Sequence, residues 1–405
     1  MTNSWTANSY RLFRILFGIY LSLHFAQLLP WAGEVFSNTG MLPDASRSAL
    51  FGIVPSVFAL SDSPVFVTAL IGAAAMAAIS FSCGVYDRVL APFMLYILAC
   101  LFGRNPLIAN PALPYVGWLL LAHLFVPPLP KEPFSRPEWE LPKPLFAAAW
   151  IVLALAYSYS GYTKLLSPSW VSGDAIRYVL QNPLARDYFL RELFLRLPDG
   201  ALQLLTWGVM GVELLFAPLA LIPRARPILW GAMLLAQLGF LFLLNFADLT
   251  TPMLLFHLLT FDPAWISAQR PAGRIVIYYD GECGLCHRVV RFVLAEDRLA
   301  RFVFGPLQGA SFKCAVPTEA RETLPDSFVV IDESGRVRLR SDAVIYIAKG
   351  LGGFWRLLGL LLQIVPRPLR DGGYRFVGAI RYRLFERPTD RCPWVPQDLR
   401  LRFVP

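Results

Sequence analysis

The side chains best suited to chemistry are two cysteines separated by two residues, Cys283 and Cys286. This spacing allows Cys283 to attack a disulfide as the nucleophile and Cys286 to resolve the mixed disulfide within one helical turn. Asp280 precedes Cys283 by three residues and is close enough to accept a proton, although its negative charge opposes a thiolate. The pattern therefore predicts thiol–disulfide exchange with Cys283, Cys286 and Asp280 as catalytic residues.

The flanking sequence predicts the elements that position this pair. Ile275–Tyr279 is β-branched and aromatic and lies between Gly273 and Gly281, which is typical of a buried strand. A helical stretch follows at His287–Leu299. Cys283 is therefore expected near a helix N-terminus, where unpaired backbone N–H groups and the helix dipole favour the thiolate.

Further elements follow the cysteine pair. Ser327–Ile331 and Val337–Arg340 predict a hairpin, and Ala343–Gly350 predicts a helix behind it. Phe354–Val365 is apolar almost all round yet too short to span a bilayer, so we expect it to be a core helix. The order of strand, helix, hairpin and helix predicts an α/β domain over residues 266–405.

Two other interpretations of the cysteine pair stay open. A zinc site would need two more ligands, and without a second CxxC only Cys314, His287 and the distant Cys392 are available. Two inert cysteines at chance spacing are the other alternative. The order of strand, turn and helix favours the redox interpretation, so no metal site is predicted.

Residues 1–265 have the character of a membrane protein. The whole chain is 56% hydrophobic and 16% charged, whereas an average soluble chain carries roughly 25% charged residues. A helix that crosses about 30 Å of hydrocarbon needs about 20 apolar residues. The sequence predicts seven or eight spans, which are Leu12–Trp31, Pro64–Ser82, Val89–Gly103, Leu113–Pro127, Pro144–Thr163, Ala201–Leu221, Pro227–Ala247 and Thr251–Phe261.

The charge is concentrated in the other part of the chain. Residues 266–405 carry 22 Lys and Arg against 14 Asp and Glu, which favours a domain held near anionic lipid over nucleic-acid binding. The first span shows no cleavage site and is expected to remain as an anchor. Lys and Arg among the loops favour a cytoplasmic C-terminal domain on a multi-pass protein of the plasma or inner membrane.

Ionisable residues mark candidate sites within the membrane part. Lys164 ends a charge-free span and Glu213 lies midway along another; such groups are costly in a membrane unless paired. Snorkelling to the interface is the alternative role for Lys164, and a structural ion pair is the alternative for Glu213. His257 follows Asp248 and Thr251 in a polar break and is a candidate ligand-binding residue, with a hydrogen-bonded core histidine as the alternative.

The C-terminal part resembles the DCC family of thiol–disulfide oxidoreductases, which has a thioredoxin-like fold. The resemblance rests on Asp280, Cys283 and Cys286, and it continues through Ser341–Val344, Leu351–Leu358, Pro366–Arg367 and Arg381–Arg383. The resemblance covers about Arg274–Cys392 and implies a thioredoxin-like fold for the domain of residues 266–405. The expected partner is a protein or small molecule with a thiol or disulfide.

Residues 1–265 resemble the HTTM domain, the bacterial relative of vitamin K-dependent γ-carboxylase. The match includes Arg11, Arg14, Ser160–Trp170, Glu213 and Asp248–Trp265. In the carboxylase, a lysine in the corresponding motif is the base associated with oxygenation of reduced vitamin K, and that lysine matches Lys164. The carboxylase's catalytic histidine and its large lumenal domain have no counterpart here, which argues against glutamate carboxylation.

These patterns predict a polytopic α-helical membrane bundle of 7–8 spans (residues 1–265) followed by an α/β thioredoxin-like domain (residues 266–405). The predicted function is a membrane-bound thiol–disulfide oxidoreductase, with lipid around the bundle and a quinone as its candidate cofactor beside Lys164, Glu213 and His257. As the base, Lys164 must be partly neutral, so Glu213 must be distant or protonated. Two alternatives stay open: a carboxylase-like membrane modifying enzyme with an accessory redox domain, and a non-catalytic membrane export or immunity component.

Overall fold

The computed structural model describes residues 5–106, 110–130, 139–266, 273–324, 328–384 and 397–405. The chain divides into two compact units. One is formed mainly by Arg11–Pro127 and Pro142–Phe261, and the other by Asp262–Pro405 together with Thr2–Tyr10 and Pro128–Leu141.

The first unit is helical. In chain order its helices are α1 (Ala7–Leu28), α2 (Ala32–Phe36), α3 (Pro64–Cys83), α4 (Asp87–Arg104), α5 (Leu113–His123), α6 (Lys143–Leu165), α7 (Pro168–Val171), α8 (Ala175–Gln181), α9 (Phe189–Leu195), α10 (Asp199–Leu214), α11 (Phe216–Ala220), α12 (Arg226–Leu243) and α13 (Ala247–Thr260). Helices α3, α6 and α12 each have a proline in the first turn, where its missing N–H leaves no hydrogen bond unmade.

Four helical segments in the described part of the chain are long and apolar enough to cross a membrane. They are Ala7–Phe36, Pro64–Cys83, Lys143–Leu165 and Arg226–Leu243. Apolar side chains also face outward from them, as at Leu155 and Ile228, which are 60% and 74% exposed. Helix α5 has only 11 residues, and the predicted span Ala201–Leu221 is broken between α10 and α11. Four of the predicted spans are therefore supported as candidates by helix length and composition, and the count of seven or eight stays a prediction.

A glycine lets two helices of this unit meet backbone to backbone. Helix α6 packs against α10, α11 and α13. A Cβ atom on Gly161 of α6 would lie 2.3 Å from the backbone nitrogen of Leu214 on α10. A residue with a side chain cannot occupy that position without moving a helix. The close crossing brings the end of α6 beside Glu213.

The second unit contains a four-stranded mixed sheet. Its strands are β1 (Ile275–Tyr279), β2 (Phe302–Pro306), β3 (Val329–Ile331) and β4 (Val337–Leu339). They lie in the order β2-β1-β3-β4, with β1 parallel to β2 and antiparallel to β3, and with β3 antiparallel to β4. The helices are α14 (Gly284–Glu296), α15 (Ala310–Ala315), α16 (Thr318–Thr323), α17 (Arg340–Leu351), α18 (Gly353–Ile364) and α19 (Arg367–Leu384).

The core of this unit forms between the sheet and helix α14. Ile277 and Tyr279 of β1 pack in one cluster with Val290 and Val293 of α14. Strand side chains alternate between the two faces of a sheet, and the neighbouring Tyr278 accordingly belongs to a second cluster with Phe312. Burial on both faces explains why this strand reads as a continuous apolar run.

Several predicted elements are confirmed and one assignment is wrong. Strand β1 has the predicted bounds, and helix α14 begins three residues before the predicted start at His287. Strand β2 was not predicted. The stretch Phe354–Val365 is not a core helix. Ile364 is 77% exposed, and within α18 only Gly359 is buried. A short apolar helix can also lie on the protein surface with one face exposed, and mean hydropathy does not distinguish this case from a core helix.

Candidate functional site

The turn between β1 and α14 holds both cysteines. Cys283 is the N-cap of α14 and has an extended backbone, with φ −108° and ψ 115°. Its N–H donates to the Asp280 carbonyl at 3.3 Å, and its carbonyl accepts from the His287 N–H at 3.1 Å. Cys286 lies in the first turn of the helix. The predicted placement of Cys283 at a helix N-terminus is therefore confirmed.

The two thiols have opposite acid–base character. Cys283 and Cys286 are 1% and 3% exposed. The hydrogen bond from Cys286, backbone N–H groups of the first turn and the charge of Arg381 outweigh burial and lower the pKa of Cys283 to about 6. The same hydrogen bond, together with burial, raises the pKa of Cys286. These shifts favour the thiolate at Cys283 and the protonated thiol at Cys286.

Asp280 lies in the same turn and is held by three groups. Its Oδ1 accepts from the Glu282 N–H at 3.0 Å and from Gln308 Nε2 at 3.2 Å. Its Oδ2 lies 3.7 Å from Nη2 of Arg381, a buried residue of α19. The positive guanidinium offsets the carboxylate charge, which removes the electrostatic objection to a thiolate beside Asp280.

Arg381 and Gln308 contact Asp280 in the site, and the sequence did not predict a role there for either residue. Arg381 lies in the Arg381–Arg383 segment that carries part of the family resemblance, so a signal was present without a role. Gln308 follows β2, a strand that was not predicted, and no motif marks it. Both reach the site from elements distant in sequence.

The arrangement does not supply a metal site among the described residues. His287 Nε2 lies 3.0 Å from the Gly281 carbonyl, so this nitrogen is the donor of that hydrogen bond and is unavailable to zinc. In the described ranges, no three His, Cys, Asp or Glu side chains group in a way that could hold a metal ion. Cys392, which the zinc interpretation also counted, lies outside those ranges.

Lys164 and Glu213, the candidate residues of the first unit, are in direct contact. Lys164 Nζ lies 2.5 Å from Glu213 Oε2 and 2.7 Å from Ser160 Oγ. It also lies 4.8 Å from the ring centroid of Trp170. The two groups are therefore not separated, as the sequence argument required for a neutral Lys164 beside an ionised Glu213. Lys164 can act as a base only if Glu213 is protonated.

His257 belongs to a different hydrogen-bond network. Its Nε2 lies 3.3 Å from Tyr157 Oη, and its Nδ1 lies 2.9 Å from the Met253 carbonyl. Gln237 Nε2 donates to the same Tyr157 hydroxyl at 3.2 Å. His257 is fully buried, and these partners satisfy both ring nitrogens. The geometry fits the core-histidine alternative, and ligand binding by His257 stays a prediction.

A further polar network of the first unit centres on Asp248. Its Oδ1 accepts from Tyr20 Oη at 3.0 Å and lies 2.9 Å from His24 Nδ1, while its Oδ2 accepts from Asn110 Nδ2 at 3.0 Å. These contacts join helices α1 and α13. Asp248 is half-buried, and these three groups compensate its carboxylate within the bundle.

Comparisons with known proteins agree on the C-terminal part. Residues 277–387 match the family model described as DCC1-like thiol-disulfide oxidoreductase. The uncharacterized protein YuxK of Bacillus subtilis is 36% identical over 135 residues, which are 32% of this chain and 93% of YuxK. A chloroplastic DCC family protein of Arabidopsis thaliana is 34% identical over 119 residues, which are 29% of this chain and 69% of that protein. No solved structure matches significantly.

Proposed function

Because this chain belongs to the DCC1-like thiol-disulfide oxidoreductase family through residues 277–387, we propose that Cys283 and Cys286 form a redox-active dithiol. The proposal rests above all on the Cys283 thiolate at the N-cap of α14 beside a protonated Cys286. The substrate is the disulfide of a protein or a small molecule. A thioredoxin-like arrangement of the unit is supported by the strand order β2-β1-β3-β4 and by the cysteines between β1 and α14.

The exchange has two steps. The Cys283 thiolate attacks one sulfur of the substrate disulfide, that S–S bond breaks, and the other substrate sulfur leaves as a thiolate and takes up a proton. Cys286 then loses its proton and attacks Cys283 Sγ, which releases the second substrate thiol. Two electrons pass to the substrate and Cys283–Cys286 becomes a disulfide. The reverse sequence oxidises a substrate dithiol.

Within this sequence Asp280 accepts the proton of Cys286. After the hydrogen bond to Cys283 and burial, the charge of Asp280 is a smaller cause of the raised pKa of Cys286, which supports this role. Gln308 and Arg381 hold the carboxylate in place. Replacement of Asp280 by Asn is expected to slow resolution of the mixed disulfide more than its formation, because only the second step needs this proton transfer.

Cysteine variants test the dithiol assignment. Cys283→Ser is expected to abolish exchange with a model disulfide, whereas Cys286→Ser is expected to accumulate the mixed disulfide, visible by mass spectrometry. Cys314→Ser is the matched control, because Cys314 is an exposed free cysteine of the same unit. Unimpaired exchange in both CxxC variants would contradict the redox assignment and leave the modifying-enzyme and export or immunity alternatives.

We further propose that the chain is an integral membrane protein whose redox domain faces the cytoplasm, divided near residue 265 into an HTTM-like bundle of seven or eight spans and the DCC domain. Four helices of sufficient length and hydropathy support membrane insertion. Reporter fusions placed after Ala272 test the orientation. Activity of a periplasmic reporter at this point would contradict it and would place the cysteines in an oxidising compartment.

Quinone coupling is a second candidate function, favoured by the contact of the half-buried Lys164 with the buried Glu213. The reduced dithiol would give two electrons and two protons to a lipid-soluble quinone, yielding the disulfide and the quinol. One proton shared by Lys164 and Glu213 could be relayed to or from a quinone hydroxyl. Quinone absorbance in the pre-reduced wild type, Lys164→Ala and Cys283→Ser tests this proposal. A wild type that reduces no quinone, or a Lys164→Ala variant as fast as the wild type, would refute it.

A further inference from the structure

Helix α18 carries an exposed apolar stripe on the surface of the redox unit. Leu357, Leu360, Leu361 and Ile364 follow the spacing i, i+3, i+4, i+7 and therefore share one face. Leu361 is 53% exposed and Ile364 is 77% exposed. The opposite face is occupied, because a Cβ atom on Gly359 would lie 3.1 Å from the nearest side-chain atom of α17.

Helix α19 follows α18 in the chain and also carries exposed apolar side chains. Leu369 and Phe376 are seven residues apart, so they lie on one face, and they are 68% and 67% exposed. Tyr374 and Arg381 lie on another face, which points to the sheet. The Tyr374 hydroxyl accepts from the Phe328 N–H at 3.2 Å, and Arg381 contacts Asp280 in the turn that holds the dithiol. Helix α19 thus has an inner face fixed by polar contacts and an outer face of large apolar side chains.

Positive charge borders the apolar surface. Residues 353–384 contain six arginines and one aspartate. Arg367, Arg375 and Arg383 are exposed, whereas Arg381 is buried at the site. An apolar face edged with arginines is the pattern of helices that lie in the interface of an anionic bilayer. A second copy of this chain would bring the same exposed arginines to the contact, which opposes self-association.

We propose that α18 and α19 form an amphipathic hairpin that docks on the surface of an anionic phospholipid bilayer. The apolar stripe enters the boundary between headgroups and acyl chains, and the exposed arginines contact lipid phosphates. Each arginine near an anionic surface strengthens association about five-fold, so Arg375 and Arg383 together give about a 25-fold preference over a neutral surface. Arg367 adds less, because it also pairs with Asp342 and Asp371. This inference is independent of the proposed dithiol chemistry.

Hydroxyl-radical footprinting of the full-length protein tests this proposal. The protein is placed in nanodiscs of phosphatidylcholine, with or without phosphatidylglycerol, and side-chain oxidation is read by mass spectrometry. We expect oxidation of Ile364, Leu369 and Phe376 to fall about ten-fold in the anionic discs, as a preference of about 25-fold shifts most molecules to the docked state. Leu299 is the internal control, because it is 61% exposed in the same unit but lies outside the hairpin.

A charge variant separates lipid docking from other causes of protection. Arg367→Gln with Arg375→Gln and Arg383→Gln is expected to restore the oxidation seen in neutral discs while thiol–disulfide exchange persists. Equal oxidation in both kinds of disc would overturn the proposal. Protection that increases with the number of protein copies per disc would overturn it in favour of a second copy, and protection that persists in the triple variant would overturn the role of the arginines.

Discussion

The hydrogen bond between the two thiols gives the sharpest test of the site. It is the largest contribution that lowers the pKa of Cys283 from 9.0 to about 6. A hydrogen bond to a charged group contributes about 1.5–3 kcal/mol, and the thiol is a weak donor, so about 1.4 kcal/mol, or one pKa unit, is a conservative value. We therefore expect Cys286→Ala to raise the pKa of Cys283 to about 7 or higher.

The consequence is a pH-dependent loss of reactivity. At pH 6 about half of Cys283 is thiolate in the reduced wild type, and a one-unit rise leaves about one tenth, a loss of about five-fold. At high pH both forms are thiolates and the rates converge. The assay is alkylation of Cys283 by iodoacetamide as a function of pH, followed by mass spectrometry of the peptide. Burial of the thiol slows every variant, so the midpoint is compared rather than the absolute rate.

Cys286→Ser is the matched control for the alanine variant. Serine retains a hydroxyl donor at the same position, so its midpoint is expected to stay near that of the wild type, whereas the alanine midpoint rises. An alanine variant with the wild-type midpoint would refute the reasoning. A serine variant that shifts as far as the alanine variant would show that the hydroxyl does not replace the thiol as donor.

The remaining predictions concern the charge of Arg381, the turn between β3 and β4 that contains Asp332, and the crossing of α6 and α10. Arg381→Met is expected to raise the pKa of Cys283 because a nearby positive charge favours the thiolate, while Arg383→Met, exposed on the same helix, leaves the alkylation midpoint unchanged. Burial opposes ionisation of Asp332, but hydrogen bonds from Ser334, Arg336 and Arg338 outweigh burial and lower the pKa of Asp332 to about 2. Because this pKa in the folded protein is below the ordinary value of 3.8, the ionised carboxylate stabilises the fold, and this stabilisation is lost as pH falls from about 4 through 2. Thermal melts of Asp332→Asn should lack this pH dependence. Gly161→Ala is expected to destabilise the first unit by about 1–3 kcal/mol through overpacking, whereas Gly208→Ala, with open space around it, is expected to be tolerated; equal melting temperatures in detergent would contradict the close crossing of α6 and α10.

The sequence alone was sufficient for features that depend on neighbouring residues. The β-branched run Ile275–Tyr279 specified a strand, and the helical stretch that follows it placed Cys283 at the start of a helix. The longest apolar runs identified helices of membrane length. Propensity, periodicity and mean hydropathy act over a few residues, so they survive without knowledge of the fold. Short apolar runs were less certain, since a run of about 12 residues fits either a core helix or an exposed face.

Only the tertiary structure decided which distant groups meet. Asp280 was expected to oppose the thiolate, yet α19 brings Arg381 to within 3.7 Å of it. Lys164 and Glu213 are 49 residues apart in sequence and in contact at 2.5 Å, because Gly161 allows α6 and α10 to approach. The exposure of α18 was likewise set by its packing on α17. Electrostatics and burial depend on distances through space, and packing of the whole chain determines those distances.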